Sequence, residues 1–583
     1  MRRTRGKGPA LPAAGREGDD ERRRLSTFHL TGLALGGIIG SGWVAGAYSA
    51  YGTVGSDAWL TWGIGGLVML LVASVMVELG TAVPKTGGLI FLPLQSSGAL
   101  VATVAAGGIW LVYAINLSSE AFAMTRALTV KSLRLVVAGP GPDPRHTDTE
   151  LLRYGWLVTL LFMIVITAVN LIDPKVFFAV NSWLTVLKVG ILVLFVVVFW
   201  TMATGSQSAH ACFQKTPDLK GQPYEEIMKA VVSSSAIYAY VGFQGPLDFA
   251  GNVRRRGIGE AARLRIAVYG AFAGSALLYI ALQFVYNHDH LQWSPNEASS
   301  PYVTLAGPTW LGWLLQANAL ISPMAAGLVF THALTREVAA LSRAHLTHRG
   351  LQSARMSSLG RRHDVYWLVL GVNLCVAIVA LIAVRGSLLS LIAVSSVLTL
   401  VVYAIPSVVL AALLPRLRDK GYGERRAAVY GVLARLSFVL LTIVAYMVGW
   451  DQLWQGMAAL AAGCALLFGL PCLARVRPAF GRMYDAKVTV TQLRHWRTLP
   501  AAQAALWLTA HLVALTLFSL LGKTSRPALD PWTAGCLLAV TSWCAFEGMV
   551  RVSRRHMAQA PPILPAPGAV EPAAGPRARA HAR

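Results

Sequence analysis

The chain is poor in charge and in cysteine for its length. Only 13% of its 583 residues are Asp, Glu, Lys or Arg, about half the share usual in a soluble globular protein. That excludes the composition of an ordinary cytosolic enzyme and of a disordered chain. The six cysteines, Cys212, Cys375, Cys464, Cys472, Cys536 and Cys544, lie mostly inside apolar runs and show neither metal-ligand nor paired spacing. They read as small core hydrophobes, which excludes a zinc module and a disulfide scaffold and leaves the redox compartment open. Acidic residues are the scarcer sign, 27 against 51 basic ones, for a net charge of +24. In a soluble protein this would suggest nucleic acid as partner. The chain, however, has no zinc-ligand spacing, no basic helix running into heptads and no RNP-like strand, so no nucleic-acid partner is expected. The apolar segments also lack a convergent Ser/His/Asp set, a metal cluster and a carboxylate pair, and no loop between them is large enough for a catalytic domain. Neither an enzyme nor a cofactor or metal is expected.

What the chain has is apolar length: 55% of its residues belong to the apolar set, and the mean hydropathy is +0.54. A run crossing the hydrocarbon core needs roughly 20 residues. Fourteen runs qualify, at 28–51, 57–82, 100–127, 154–173, 177–202, 230–251, 264–286, 309–334, 365–384, 387–414, 429–449, 452–474, 502–521 and 531–550. The eleventh carries Arg435 near its start and is the least clean. The Arg-rich N-terminus leads into a long apolar run without a cleavage site close behind, which reads as a first span rather than a removed signal peptide. An even number of spans puts both termini on one side, and the positive charges choose the side. With the termini in the cytoplasm of a cell-membrane protein, 38 of the 51 Lys and Arg fall in cytoplasmic segments and 10 outside. The cytoplasmic face then carries +26 and the outside −1, so the whole net charge is a topology signal.

Two spans are interrupted. The first contains LALGGIIGSGW, residues 33–43, with Gly36, Gly37, Gly40, Ser41 and Gly42 at mid-depth. Non-helical backbone is tolerated there only where it lines a cavity or is buried in protein. An unwound helix offers N–H groups suited to a carboxylate and C=O groups suited to an ammonium, so a zwitterion fits both. The alternative is close helix packing through small residues. The sixth span contains AIYAYVGFQGPLDFAG, residues 236–251, where Gly242, Gly245 and Pro246 break or kink the helix. Breaks in spans one and six, five spans apart, are what an inverted five-helix repeat predicts, with substrate held between them. The chain thus divides into a basic cytoplasmic tail (1–26), a core of two inverted five-helix repeats (27–414), helices eleven and twelve (415–476), two additional helices (477–556) and a disordered Pro/Ala/Arg-rich tail (557–583).

Few charges lie within the spans. Lys188, in NSWLTVLKVGILVLF, is about twelve residues from either end of span five. Inserting an ammonium at that depth costs some 2.5 kcal/mol or more, which makes it a functional candidate. Burial disfavours a charged lysine, so such a group can exchange a proton and serve as the coupling charge. Its alternative is a fixed structural cation on carbonyls of the broken first helix. Glu120, near the outer end of span three, is expected to pair with Arg126, and Glu78, at the inner end of span two, to anchor a cytoplasmic gate; both are possible gate residues. Asp248, just past the second break, is placed to cap or to meet Arg254, Arg255 and Arg256. His288 and His290 read as a solvated loop rather than a metal site.

GGIIGSGW, ELGTAVPKTGG in span two, NSWLTVLK in span five and YAYVGFQGPLDFAG in span six together resemble the amino acid/polyamine/organocation permease family, over roughly residues 25–420. Trp43, after GSG, is similar to bacterial aspartate/proton symporters. The resemblance implies an all-α polytopic transporter with broken helices 1 and 6 and 12 to 14 spans. It further implies that Gly40, Ser41 and Gly42 line the carboxylate site, with N–H groups of Ser41 and Gly42 as donors. The carbonyls of Ile38, Tyr238, Ala239 and Val241 would face the ammonium, Tyr238 would gate the site, and Lys188 would couple a proton by bridging span five to the first break. Asn252 and Gln244 stand where many relatives carry an acid. The expected activity is proton-coupled symport of an amino acid by alternating access, with the amino acid, the proton and the bilayer as partners. The alternatives are a proton-independent exchanger and a non-transporting amino acid sensor or assembly subunit.

Overall fold

The computed structural model describes residues 25–84, 88–129, 134–140, 147–172, 174–203, 223–253, 259–289, 300–343, 346–352, 355–356, 362–419, 421–476, 491, 494–523 and 529–559. Nearly all of them are helical, because in hydrocarbon a backbone must satisfy its own N–H and C=O groups. In chain order the helices begin α1 (Thr27–Ile38), α2 (Gly42–Val54), α3 (Ala58–Ala82), α4 (Gly88–Ser97) and α5 (Ala99–Ala127). An antiparallel hairpin, β1 (Val136–Pro140) with β2 (Thr147–Leu151), pairs Val136 with Leu151 and Pro140 with Thr147. There follow α6 (Arg153–Val169), α7 (Pro174–Ala203), α8 (Pro223–Ser233), α9 (Ala236–Tyr240), α10 (Gly245–Asp248), α11 (Glu260–Asp289), α12 (Pro301–Ala306) and α13 (Trp310–Arg343). After a short hairpin of β3 (Arg355–Met356) and β4 (Arg362–Val365) come α14 (Trp367–Ala383), α15 (Leu388–Tyr403), α16 (Ile405–Arg418), α17 (Glu424–Met447), α18 (Trp450–Val476), α19 (Pro500–Leu521) and α20 (Pro531–Gln559).

Each of the fourteen apolar runs lies on helix, and ten helices among the described residues are long and apolar enough to cross a membrane. The architecture is an all-α polytopic bundle. Run one is split into α1 and α2, run six into α8, α9 and α10, and run ten is marked at Ala404, ahead of Pro406, where α15 gives way to α16. The helix α5 is buried nearly end to end, between α13, α15 and α4. By contrast α7 leaves Trp183, Val186, Leu187 and Val197 exposed on one side, the apolar surface that a bilayer would cover. The five described cysteines correct the expectation that they fill the core: Cys375, Cys536 and Cys544 are exposed free thiols and Cys464 and Cys472 are half-buried, while Cys212 lies outside the described residues.

The C-terminal pair α19 and α20 packs together, and α20 also lies against α17, α16 and α4. Ser97 and Ser553 share a hydrogen bond at 2.9 Å. Arg435, which marred run eleven, is paired with Glu547 of run fourteen at 2.6 Å. The basic tail to residue 24, Arg254, Arg255 and Arg256, the side chains of His288 and His290, and the Pro/Ala/Arg-rich tail beyond Gln559 lie outside the described residues.

Candidate functional site

The two breaks meet back to back. Ile39, Gly40 and Ser41 separate α1 from α2, and Val241 to Gln244 separate α9 from α10. Gly242 has φ +123°, open to glycine at little cost, and its backbone lies directly against that of Gly37. A Cβ on Gly37 would stand 2.9 Å from the Gly242 Cα, and one on Gly42 2.6 Å from the Ala239 Cβ. The glycines of the two motifs therefore allow an approach that no larger residue would permit.

A helix that ends in the interior leaves its last carbonyls without partners. Those of α1 are met by side chains from other spans. The Lys188 ammonium, fully buried, donates to the Gly36 carbonyl at 2.8 Å and also to the Ile39 carbonyl. Its helix is held in place by Asn181 and Thr185, which donate to the Gly32 carbonyl at 3.0 and 3.2 Å. Asn318 of α13 donates to the Lys188 carbonyl at 3.3 Å. Tyr279 of α11 bridges the two breaks, its hydroxyl donating to the carbonyls of Ile38 at 2.7 Å and Ala239 at 3.3 Å. The Tyr238 carbonyl accepts from the Val241 N–H at 3.1 Å.

At the start of α2 the Ser41 N–H donates to Glu120 Oε2 at 2.9 Å. The Tyr238 hydroxyl donates to Glu120 Oε1 at 3.0 Å and shares a hydrogen bond with Ser119 at 2.5 Å. Glu120 is therefore not the partner of Arg126 at an interface, as its spacing suggested, but a buried carboxylate at the first break. The reason is helix geometry: six residues apart on α5, the two side chains lie about 120° apart around the helix, and the Glu120 face is the one that meets the break. One N–H expected to bind a substrate carboxylate is already engaged by a carboxylate of the chain. The Trp43 indole N–H, buried beside it, has no partner among the described residues.

Other side chains close the ends. Trp62 donates to Gln283 at 2.8 Å, and its ring lies 4.9 Å from that of Tyr279. At the end of the bundle where α1 begins, Glu78 is held by the Tyr422 hydroxyl at 2.5 Å, Arg426 at 2.5 Å and Arg265 at 3.5 Å. Burial and the hydrogen bond to Glu78 push the Tyr422 hydroxyl above its ordinary pKa. Asp248 does not cap α10; it accepts from Tyr113 of α5 at 2.9 Å. Its carboxyl lies within hydrogen-bonding reach of Glu337 of α13, a carboxylate pair where the sequence suggested none. Gln244 accepts from the Gly242 N–H at 2.8 Å and donates to Tyr113 at 3.4 Å. Tyr279, Ser119, Gln283 and Glu337 carry no local sequence signal; only the interior position of polar groups in apolar helices could have pointed to them.

A family profile described as amino acid permease matches residues 25–470, and the chain belongs to that family. It is 26% identical over 527 residues to a glutamate/serine transporter of Bacillus subtilis, AimA, covering 87% of this chain and 89% of the relative. It is 24% identical over 560 residues to an aspartate-proton symporter of the same organism, covering 91% and 98%. An L-asparagine permease of Mycobacterium bovis is 25% identical over 342 residues, 56% of this chain and 64% of the relative.

Proposed function

We propose that this permease carries an amino acid across the cell membrane together with a proton, by alternating access, with both termini in the cytoplasm. The observation that carries the reading is the Lys188 ammonium, buried at the centre of α7 and donating to the Gly36 and Ile39 carbonyls of the broken helix. Hydrogen bonds to a charged group contribute about 1.5–3 kcal/mol each. Removing the proton weakens both at once and loosens α7 from the segment that holds substrate. A ligand or proton shifts a conformational equilibrium only by its differential affinity for the two states, and this linkage supplies such a difference.

The N–H groups at the start of α2, with the Ser41 hydroxyl, receive the substrate carboxylate, and the carbonyls of Ile38, Tyr238, Ala239 and Val241 face its ammonium. Glu120, already on the Ser41 N–H, gives way to the incoming carboxylate, so that Tyr238 is released from it as the site fills. Glu78 with Arg265, Arg426 and Tyr422 ties α3, α11 and α17 together at the cytoplasmic end, as a gate must. Support for an acidic or small polar amino acid as substrate, and for the proton, comes from the names of two relatives, an aspartate-proton symporter and a glutamate/serine transporter.

Uptake into proteoliposomes with a panel of amino acids, with and without an imposed pH gradient, tests this. Accumulation above equilibrium that needs the gradient supports symport. Uptake driven only by preloaded amino acid and indifferent to pH would make the protein an exchanger, and binding without uptake would make it a sensor.

A further inference from the structure

Asp248 and Glu337 are fully buried, at the end of α10 and in α13. Two of their four oxygens have donors: Tyr113 donates to Asp248 Oδ2 at 2.9 Å and the Ile90 N–H to Glu337 Oε2 at 3.1 Å. The other two, Asp248 Oδ1 and Glu337 Oε1, have none among the described residues, although the carboxyls are within reach of each other. A buried acceptor without a donor is costly, and two adjacent carboxylates repel. One proton shared between them satisfies both oxygens and removes one charge.

Among the described residues no cation competes for the role. Arg336, one residue before Glu337, lies over the rings of Phe249 and Tyr366 at 6.0 and 5.4 Å. His332 is stacked on Phe177 and Phe249, with ring centroids 4.1 and 5.7 Å apart. From the helices packed against α10, Arg265 is taken by Glu78, Arg263 by Thr27 and His29 by Ser26. Besides Tyr113, Tyr403 of α15 is a titratable neighbour among the described residues. Beside Leu247 and Leu89 lies a small cavity of about 20 Å³, lined also by Met76, Leu79, Gly80 and Pro406, room for about one water.

We propose that Asp248 and Glu337 form a second proton-binding site, distinct from Lys188, in which one proton held between the two carboxyls keeps the cytoplasmic half of the pathway closed. Its release to cytoplasmic water leaves two facing carboxylates, which push α10 away from α13 and open that half. The gating role rests on the transport reading above; the proton itself does not.

The test is infrared difference spectroscopy of the purified full-length protein across a pH titration, without substrate, reading the carboxylic C=O band that shifts in heavy water. Glu120→Gln removes the other buried carboxyl at the breaks. In that background one exchangeable band per chain remains, and it is lost in both E120Q/D248N and E120Q/E337Q. The introduced amides supply the missing donor, so both variants keep the elution profile of the parent. A band that persists in both double variants, or that is missing from Glu120→Gln itself, overturns the proposal. Failure of the wild type to transport would overturn the transport reading and leave this band in place.

Discussion

Replacing Lys188 with methionine tests the coupling role where its consequences are largest. The side chain keeps its length but loses the ammonium, and with it the bonds to the Gly36 and Ile39 carbonyls. Each buried carbonyl left without a donor costs about 1–3 kcal/mol. The penalty of burying an ammonium, itself several kcal/mol, disappears at the same time. The two changes oppose each other, so the variant is expected to fold and to catalyse counterflow of preloaded amino acid. Concentrative uptake is different. If one proton moves per amino acid, a pH difference of two units supplies about 2.7 kcal/mol, enough for roughly 100-fold accumulation. Lys188→Met should bring that ratio to about one, because the group that links proton release to the first break is then missing. Lys188→Arg separates charge from proton exchange, since a guanidinium keeps its proton throughout. It should also accumulate nothing against a gradient. Proteoliposome uptake with internal and external label measures the ratio directly. Wild-type accumulation by Lys188→Met would refute the assignment, and wild-type accumulation by Lys188→Arg would reduce Lys188 to a structural cation.

Three further outcomes follow from the geometry. Gly42→Val places a side chain where even a Cβ would lie 2.6 Å from Ala239; binding of every substrate should be lost, measured by ligand-induced thermal shift, and loss of only some would mean the carboxylate site is elsewhere. Gly242→Ala forces an L residue to φ +123° against the Gly37 backbone, and the strain of about 1–3 kcal/mol should lower the unfolding midpoint; an unchanged midpoint would show that the breaks separate easily. Glu78→Gln weakens its contacts to Arg426, Arg265 and Tyr422. With both arginines partly exposed, the loss should be about 1–2 kcal/mol, read as greater labelling of this end by a membrane-impermeant reagent; labelling equal to wild type would remove Glu78 from the gate.

The two breaks, the buried lysine and the spans were legible because each is local. Glycine clusters inside an apolar run, a proline at mid-span and one ammonium twelve residues from water have few structural solutions in a bilayer. Glu120 was misread because sequence proximity favours Arg126, six residues on, whereas its partners Ser41 and Tyr238 come from two other spans. The same limit hid Glu337, which lies 89 positions from Asp248 and reads alone as the acid of a basic loop. It also hid the latch on Glu78, whose Tyr422 and Arg426 follow more than 300 residues later. The site is assembled from long-range pairings between helices, and periodicity carries no information about which faces meet.

The central claim is that a proton crosses with each amino acid. The direct measurement is lumenal pH in proteoliposomes holding a trapped pH-sensitive dye, with no imposed gradient and the membrane potential clamped by potassium and valinomycin, on external addition of a transported amino acid. The account predicts lumenal acidification that tracks uptake of label and disappears in Lys188→Met. Uptake of label with no change in lumenal pH would contradict it.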